Sequence, residues 1–156
     1  AASDVYKRQD GSRSRMRRAE VETVIKELQS ILRNDPGKRI GIITFYSAQA
    51  KALLEEIQKF LDEEQKRLVE VGTVDAFQGK EYDYVILSAV RSNEIKNDPQ
   101  KSVGFLVKPN RLCVAFSRAQ RQLIVCGDPN TLQQVDPFDK LMNLCKTGKE
   151  GLYREC

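Results

Sequence analysis

The spacing of hydrophobic positions changes several times along this chain, and each change marks an element. From Glu20, Val21, Val24, Ile25, Leu28, Ile31 and Leu32 recur three and four apart, with Glu22, Lys26, Glu27 and Gln29 opposite, which predicts an amphipathic helix. Asn34-Asp-Pro-Gly37 ends it as a turn. Residues 40–45 form a continuous, largely β-branched run, the pattern of a strand covered on both faces. Ser47 is placed to cap a helix reaching about residue 64, whose Leu53, Leu54, Ile57, Phe60 and Leu61 repeat at three and four. Residues 68–74 and 84–90 are two further strands, separated by a polar turn over 75–83, and 92–102 is a polar loop. Pro109 can open a helix with Leu112, Ala115, Phe116 and Ala119 on one face, although residues 112–116 also fit a strand by period alone. Residues 123–126 are a strand stopped by Gly127-Asp-Pro129, and 137–146 a last helix using Phe138, Leu141, Met142 and Cys145. Strands alternating with helices imply an α/β fold built on a parallel sheet with right-handed crossovers.

The length of 156 residues is that of one domain, and a second complete domain does not fit. Lys and Arg number 26 against 22 Asp and Glu, a mild basic excess that suits a phosphate-bearing partner and equally a solvated surface of mixed sign. Cys113, Cys126, Cys145 and Cys156 form no C-x-x-C pair and lie in or beside apolar runs, as reduced thiols do. The absence of histidine excludes Cys/His zinc sites and histidine-based nucleophile chemistry. No apolar run approaches the ~18 residues of a membrane span. The expected setting is therefore reducing and cytoplasmic, or nuclear, with no membrane. Residues 1–16 are expected to be a disordered or non-native leader, and 17–156 the domain. Across that boundary, Arg13, Arg15, Arg17 and Arg18 sit among small residues, either as a phosphate-contacting arm or as a solvated linker.

Two motifs carry the chemistry. Val71-Gly-Thr-Val-Asp-Ala-Phe-Gln-Gly-Lys-Glu81 reads as a strand breaking into a polar, glycine-containing turn that bears a carboxylate. Asn110-Arg-Leu-Cys-Val-Ala-Phe-Ser-Arg-Ala119 is an apolar segment ending in an arginine. A glycine lets a backbone N–H approach an anionic oxygen, a carboxylate accepts from a ribose hydroxyl, and a guanidinium neutralises charge on a transferred phosphoryl group. Ligands of open parallel sheets bind beyond the carboxyl ends of the strands, so Tyr46, the 75–81 turn and Arg118 are expected to share that edge.

Together these segments resemble motifs V and VI of superfamily 1 helicases, nearest to the up-frameshift type, and the resemblance runs from about residue 17 to 153. It implies a RecA-like domain, the second motor domain of an ATP-driven helicase. No G-x-x-x-x-G-K-[ST] loop occurs, so ATP and its Mg2+ ligands are expected on the N-terminal RecA-like domain of the same polypeptide. The resemblance implies that Arg118 is the arginine finger, that Gly79 lies near the γ-phosphate and attacking water, and that Glu81 binds the ribose. It further implies that Tyr46 stacks on adenine and that Thr73 holds the backbone of single-stranded RNA or DNA. Gln49, Gln78 and Arg111 are added as nucleotide-side candidates, and Asp75, Arg91 and Ser92 as strand-side candidates. Arg111 stands seven positions before Arg118, hence on nearly the same helical stripe. Relatives commonly carry a second basic residue where this chain has Gln120, followed by Arg121. Each residue also has a plainer reading: a surface arginine paired with an acid, a simple turn, a tyrosine at the edge of the core, a threonine capping a turn. For the whole chain the alternatives are an inactive helicase-like binding or interaction module, and a helicase joined to a nuclease whose carboxylate cluster is not found here.

Overall fold

The computed structural model describes residues 5–7, 15–90, 109–133 and 136–147. Four parallel strands form the main sheet: β3 (Ile40–Thr44), β4 (Val69–Thr73), β5 (Tyr82–Ser88) and β6 (Ala119–Cys126), in the order β4-β3-β5-β6. A separate antiparallel pair, β1 (Val5–Lys7) with β2 (Arg15–Arg17), puts strand structure in the stretch expected to be a leader.

Helix α1 (Arg18–Asn34) buries Val21, Val24, Leu28 and Ile31, as its period predicts, and starts slightly ahead of Glu20. It covers one face of the sheet with α2 (Ser47–Ile57), over Ile40, Ile42 and Ile86. The other face, bearing Ile43, Val85 and Leu87, is covered by a 3₁₀ turn (Val74–Phe77) and by helices that follow β5. These are α4 (Pro109–Phe116), the short α5 (Pro129–Leu132) and α6 (Asp136–Lys146), α3 being a six-residue helix (Glu63–Leu68) ahead of β4. The layers are those of a RecA-like domain.

The long helix expected from 47 to 64 is two helices. Asp62 accepts from the Gln65 N–H at 2.8 Å while the Gln65 side chain accepts from the Asp62 N–H at 3.1 Å, so a capping box nucleates α3 afresh. Leu54 and Phe60, expected on the buried face, are 43% and 37% exposed. Ser47 is the first helical residue rather than the cap; Tyr46 holds the cap position without a side-chain bond. Residues 112–116 are helical, and Ala119, expected on that helix, opens β6 instead. Arg118 therefore lies in the turn after α4, off any stripe shared with Arg111.

A parallel strand pair requires the chain to return across a face, usually through a helix of a dozen or more residues in all. Between β4 and β5 the return is shorter, a single 3₁₀ turn lying directly on the sheet. Phe77 fills that crossing, wholly buried, its ring 5.3 Å from Tyr82. Glycines beneath make room: a Cβ on Gly41 would lie 2.9 Å from the Tyr82 ring and 3.1 Å from Phe77, and one on Gly72 would lie 3.1 Å from Phe77.

Candidate nucleotide and strand-facing site

The short crossover divides the first motif between opposite edges of the sheet. Thr73 ends β4 at the carboxyl edge, and Asp75 follows it. Gly79 and Glu81 precede Tyr82, so they lie at the amino edge. The second motif is divided as well: Arg111, in the first turn of α4, lies 2.9 Å from Asp75, and Arg118, in the turn after α4, accepts the Tyr82 N–H on its carbonyl at 2.9 Å where β5 and β6 begin. A common carboxyl edge is thus corrected to two edges. The reason is directional, since a segment joining two parallel strands ends where the next strand starts.

At the amino edge the structure brings Arg118 and the Gly79–Glu81 turn together. The Arg118 guanidinium donates from Nη1 to the Lys80 carbonyl at 3.1 Å and from Nη2 to Ser117 Oγ at 2.9 Å, while Nε is buried with no hydrogen-bond partner among the described residues. Gly79 has φ +77, a left-handed turn that favours glycine, and the space where a Cβ would stand is open. Gln120 donates to Glu81 Oε2 at 2.7 Å, a neutral partner at the position where a second basic residue is common in relatives. Gln78 is exposed next to this turn.

A supporting cluster lies alongside that periodicity did not reveal. Lys80 Nζ is 2.6 Å from Glu70 Oε1, the Tyr82 hydroxyl donates to the other Glu70 oxygen, and the Arg39 guanidinium stands 5.0 Å over the Tyr82 ring. Burial, then the bond to Glu70, push the Tyr82 phenol well above its usual range. Burial also pushes the Glu70 carboxyl up, but hydrogen bonds from Lys80 and Tyr82 outweigh it and hold the group below its ordinary value. Arg39, Gly79, Lys80, Glu81, Tyr82, Asp83 and Gln120 line an open cleft of about 420 Å³. A hydroxyl-bearing anionic ligand suits this edge: the open glycine turn and the Glu81 acceptor line the cleft, and the Arg118 guanidinium is tied to the same turn through the Lys80 carbonyl.

At the carboxyl edge Thr73, Thr44 and Ser88 occupy one row across β4, β3 and β5. Two nucleotide candidates are withdrawn from ligand contact here. Tyr46 is 5% exposed and packs in the core with Phe45 and Val74, which leaves no ring face open for stacking. Gln49 is fully buried, accepting the Arg17 N–H at 2.9 Å and donating to Ser88 Oγ at 3.0 Å. Arg111, expected on the nucleotide side, pairs with Asp75 instead. Arg91 and Ser92 lie outside the described residues.

Glu20 was not singled out by the sequence and proves to be the one buried acidic residue among the described residues, 4% exposed. Its Oε1 accepts from Ser88 Oγ at 2.5 Å and from the Val90 N–H at 2.8 Å, and Oε2 is buried with no hydrogen-bond partner among the described residues. Burial pushes this carboxyl up from 4.5 to about 7, against the lowering effect of the Ser88 and Val90 bonds and of Arg17. The available signal was its place on the apolar stripe, four residues before Val24 and eight before Leu28.

Among the described residues no cluster of three or more Cys, Asp or Glu is grouped to hold a metal ion, and no helix is long and apolar enough to cross a membrane.

The family described as AAA domain matches residues 2–130. The chain is 44% identical over 107 residues to the ATP-dependent helicase NAM7 of Saccharomyces cerevisiae, covering 67% of this chain and 10% of that protein. It is 37% identical over 142 residues to Regulator of nonsense transcripts 1 of Caenorhabditis elegans, 90% of this chain and 12% of that protein. It is 42% identical over 115 residues to DNA polymerase alpha-associated DNA helicase A of Saccharomyces cerevisiae, 73% of this chain and 15% of that protein. The chain thus spans between 10% and 15% of the length of these relatives.

Proposed function

The chain belongs to the AAA domain family as the C-terminal RecA-like domain of a superfamily 1 helicase of the up-frameshift type, and from that membership we propose that it is the second motor half of an ATP-driven translocase. In this reading the amino edge faces the nucleotide and the carboxyl edge faces the nucleic-acid strand. ATP, held with Mg2+ mainly by the N-terminal RecA-like domain of the same polypeptide, supplies the γ-phosphoryl group that water attacks. Arg118 swings its guanidinium from the Lys80 carbonyl toward that group and stabilises the charge spreading over its oxygens. The open turn at Gly79 lets backbone N–H approach, and Glu81 accepts from a ribose hydroxyl while Gln120 fixes its other oxygen. Thr73 holds a phosphate of a single RNA or DNA strand, with Asp75 orienting Arg111 nearby and Arg91 and Ser92 extending the track. Closing of the two halves on ATP and their release after hydrolysis step the enzyme along the strand.

The observation that carries this reading is the meeting of Arg118, whose buried Nε has no hydrogen-bond partner among the described residues, and the Gly79–Glu81 turn at the amino ends of β5 and β6. The test is ATP hydrolysis by the full-length parent, with and without single-stranded RNA or DNA, comparing wild type with Arg118→Ala. The expected result is strand-stimulated hydrolysis that falls by ~10³–10⁵ in the variant while nucleotide binding survives. A variant that hydrolyses normally removes Arg118 from the catalytic role. A wild-type parent without hydrolysis supports the inactive binding module instead, and brisk hydrolysis by this chain alone refutes the division of labour.

A further inference from the structure

The first turns of α1 and α2 and the exit of β5 meet in one buried polar network at the carboxyl edge. Ser88 Oγ donates its single proton to Glu20 and accepts from Gln49 Nε2, and Gln49 in turn accepts the Arg17 N–H. The same Glu20 oxygen accepts the Val90 N–H at 2.8 Å. Val90 has φ 65, a left-handed conformation that a β-branched residue adopts only when its surroundings force it. The restraint is visible: its N–H is held by a carboxyl anchored in α1, and its side chain is fully buried. None of these groups touches the amino-edge cleft, whereas Ser88 shares its row with Thr44 and Thr73.

We propose that Glu20 is a positioning residue for the nucleic-acid strand, which it never touches: it holds Val90 left-handed and so fixes the end of β5 and the start of α2 beside the Thr73 row. The proposal rests on the strand-facing reading of the carboxyl edge. A carboxyl serves where an apolar side chain would not, because one oxygen satisfies both a hydroxyl and a backbone N–H at a point where the sheet ladder has ended. Its effect is local to one edge, so it acts on strand affinity and spares the nucleotide site on the other.

The experiment measures strand-stimulated ATP hydrolysis by the full-length parent carrying Glu20→Met, which keeps the volume and removes both acceptors. The strand concentration for half-stimulation is expected to rise ~10-fold, with KM for ATP within ~2-fold of wild type. Glu20→Gln, whose amide oxygen still accepts both bonds, is expected to stay within ~3-fold. Adding Val90→Gly to Glu20→Met is expected to recover most of the lost affinity, because glycine adopts the left-handed conformation freely. A purely structural role predicts no such split and no rescue. If Glu20→Met does not fold, Ser88→Ala takes its place, with an expected rise of ~3-fold. Unchanged strand dependence in the folded variants, a parallel rise in KM for ATP, or failure of the glycine rescue overturns the proposal while the strand reading stands. A wild-type parent that ignores the strand overturns both.

Discussion

Replacing Glu20 by Gln changes how stability depends on pH. The carboxyl is 4% exposed, one of its oxygens has no hydrogen-bond partner among the described residues, and burial raises it from the ordinary 4.5 to about 7. The folded chain therefore binds this proton more tightly than the unfolded chain, and stability falls as pH rises between those values. Below about 4.5 both states are protonated and the contribution is intact; above about 7 the burial of an ion costs the fold about 3 kcal/mol, at ~1.4 kcal/mol for each tenfold difference in proton affinity. Gln cannot ionise. Its amide oxygen can keep the bonds from Ser88 and Val90, and its NH₂ stands unpaired where Oε2 stood, a cost that does not vary with pH. Between about pH 5 and about pH 8.5 the wild type should thus lose about 2–3 kcal/mol relative to Glu20→Gln. Thermal unfolding followed by circular dichroism reads this as a divergence of ~5–10 °C in Tm, using the usual scaling for a chain of this size. Parallel curves for the two proteins across that range would refute the reasoning, because they would mean that Glu20 is already ionised, or solvated, in the folded state. A constant offset between the curves is of no consequence; the slope is the measurement.

The crossover between β4 and β5 supplies the remaining predictions. Gly41→Ala places a methyl 2.9 Å from the Tyr82 ring and 3.1 Å from Phe77, both buried, and should cost about 1–3 kcal/mol in urea unfolding. Unchanged stability would show that the crossing yields easily. Phe77→Ala empties the centre of the same contact and should cost about 3–5 kcal/mol by the same measurement, with less than about 1.5 kcal/mol refuting its role as the residue that seats the crossover.

The sequence by itself determined which residues are apolar and how they repeat, and that is enough for the elements whose burial follows one period. Val21, Val24, Leu28 and Ile31 of α1, and the uninterrupted run of β3, are buried as their spacing requires. It also located the two motifs that bear Gly79, Glu81 and Arg118, since their residue types and spacing are read without the fold. What lay beyond it was set by contacts between segments distant along the chain. A capping box outweighed a continuous apolar period at Asp62, since hydrogen bonds to the N–H groups of a new first turn are local and strong while Leu54 and Phe60 find no partner to cover them. Tyr46 and Gln49 look like ligand contacts by position, but only the packing of Tyr46 with Phe45 and Val74, and the bonds of Gln49 to Arg17 and Ser88, reveal that both are buried. The division of one motif between two edges of the sheet follows from the parallel direction of β4 and β5, and Gly41 and Gly72 make room for Phe77 so that one 3₁₀ turn spans the crossing. Glu20 is the sharpest case: a carboxylate at the head of an amphipathic helix is ordinarily solvated, and only the Ser88 hydroxyl and Val90 N–H, brought from far along the chain, make its burial possible.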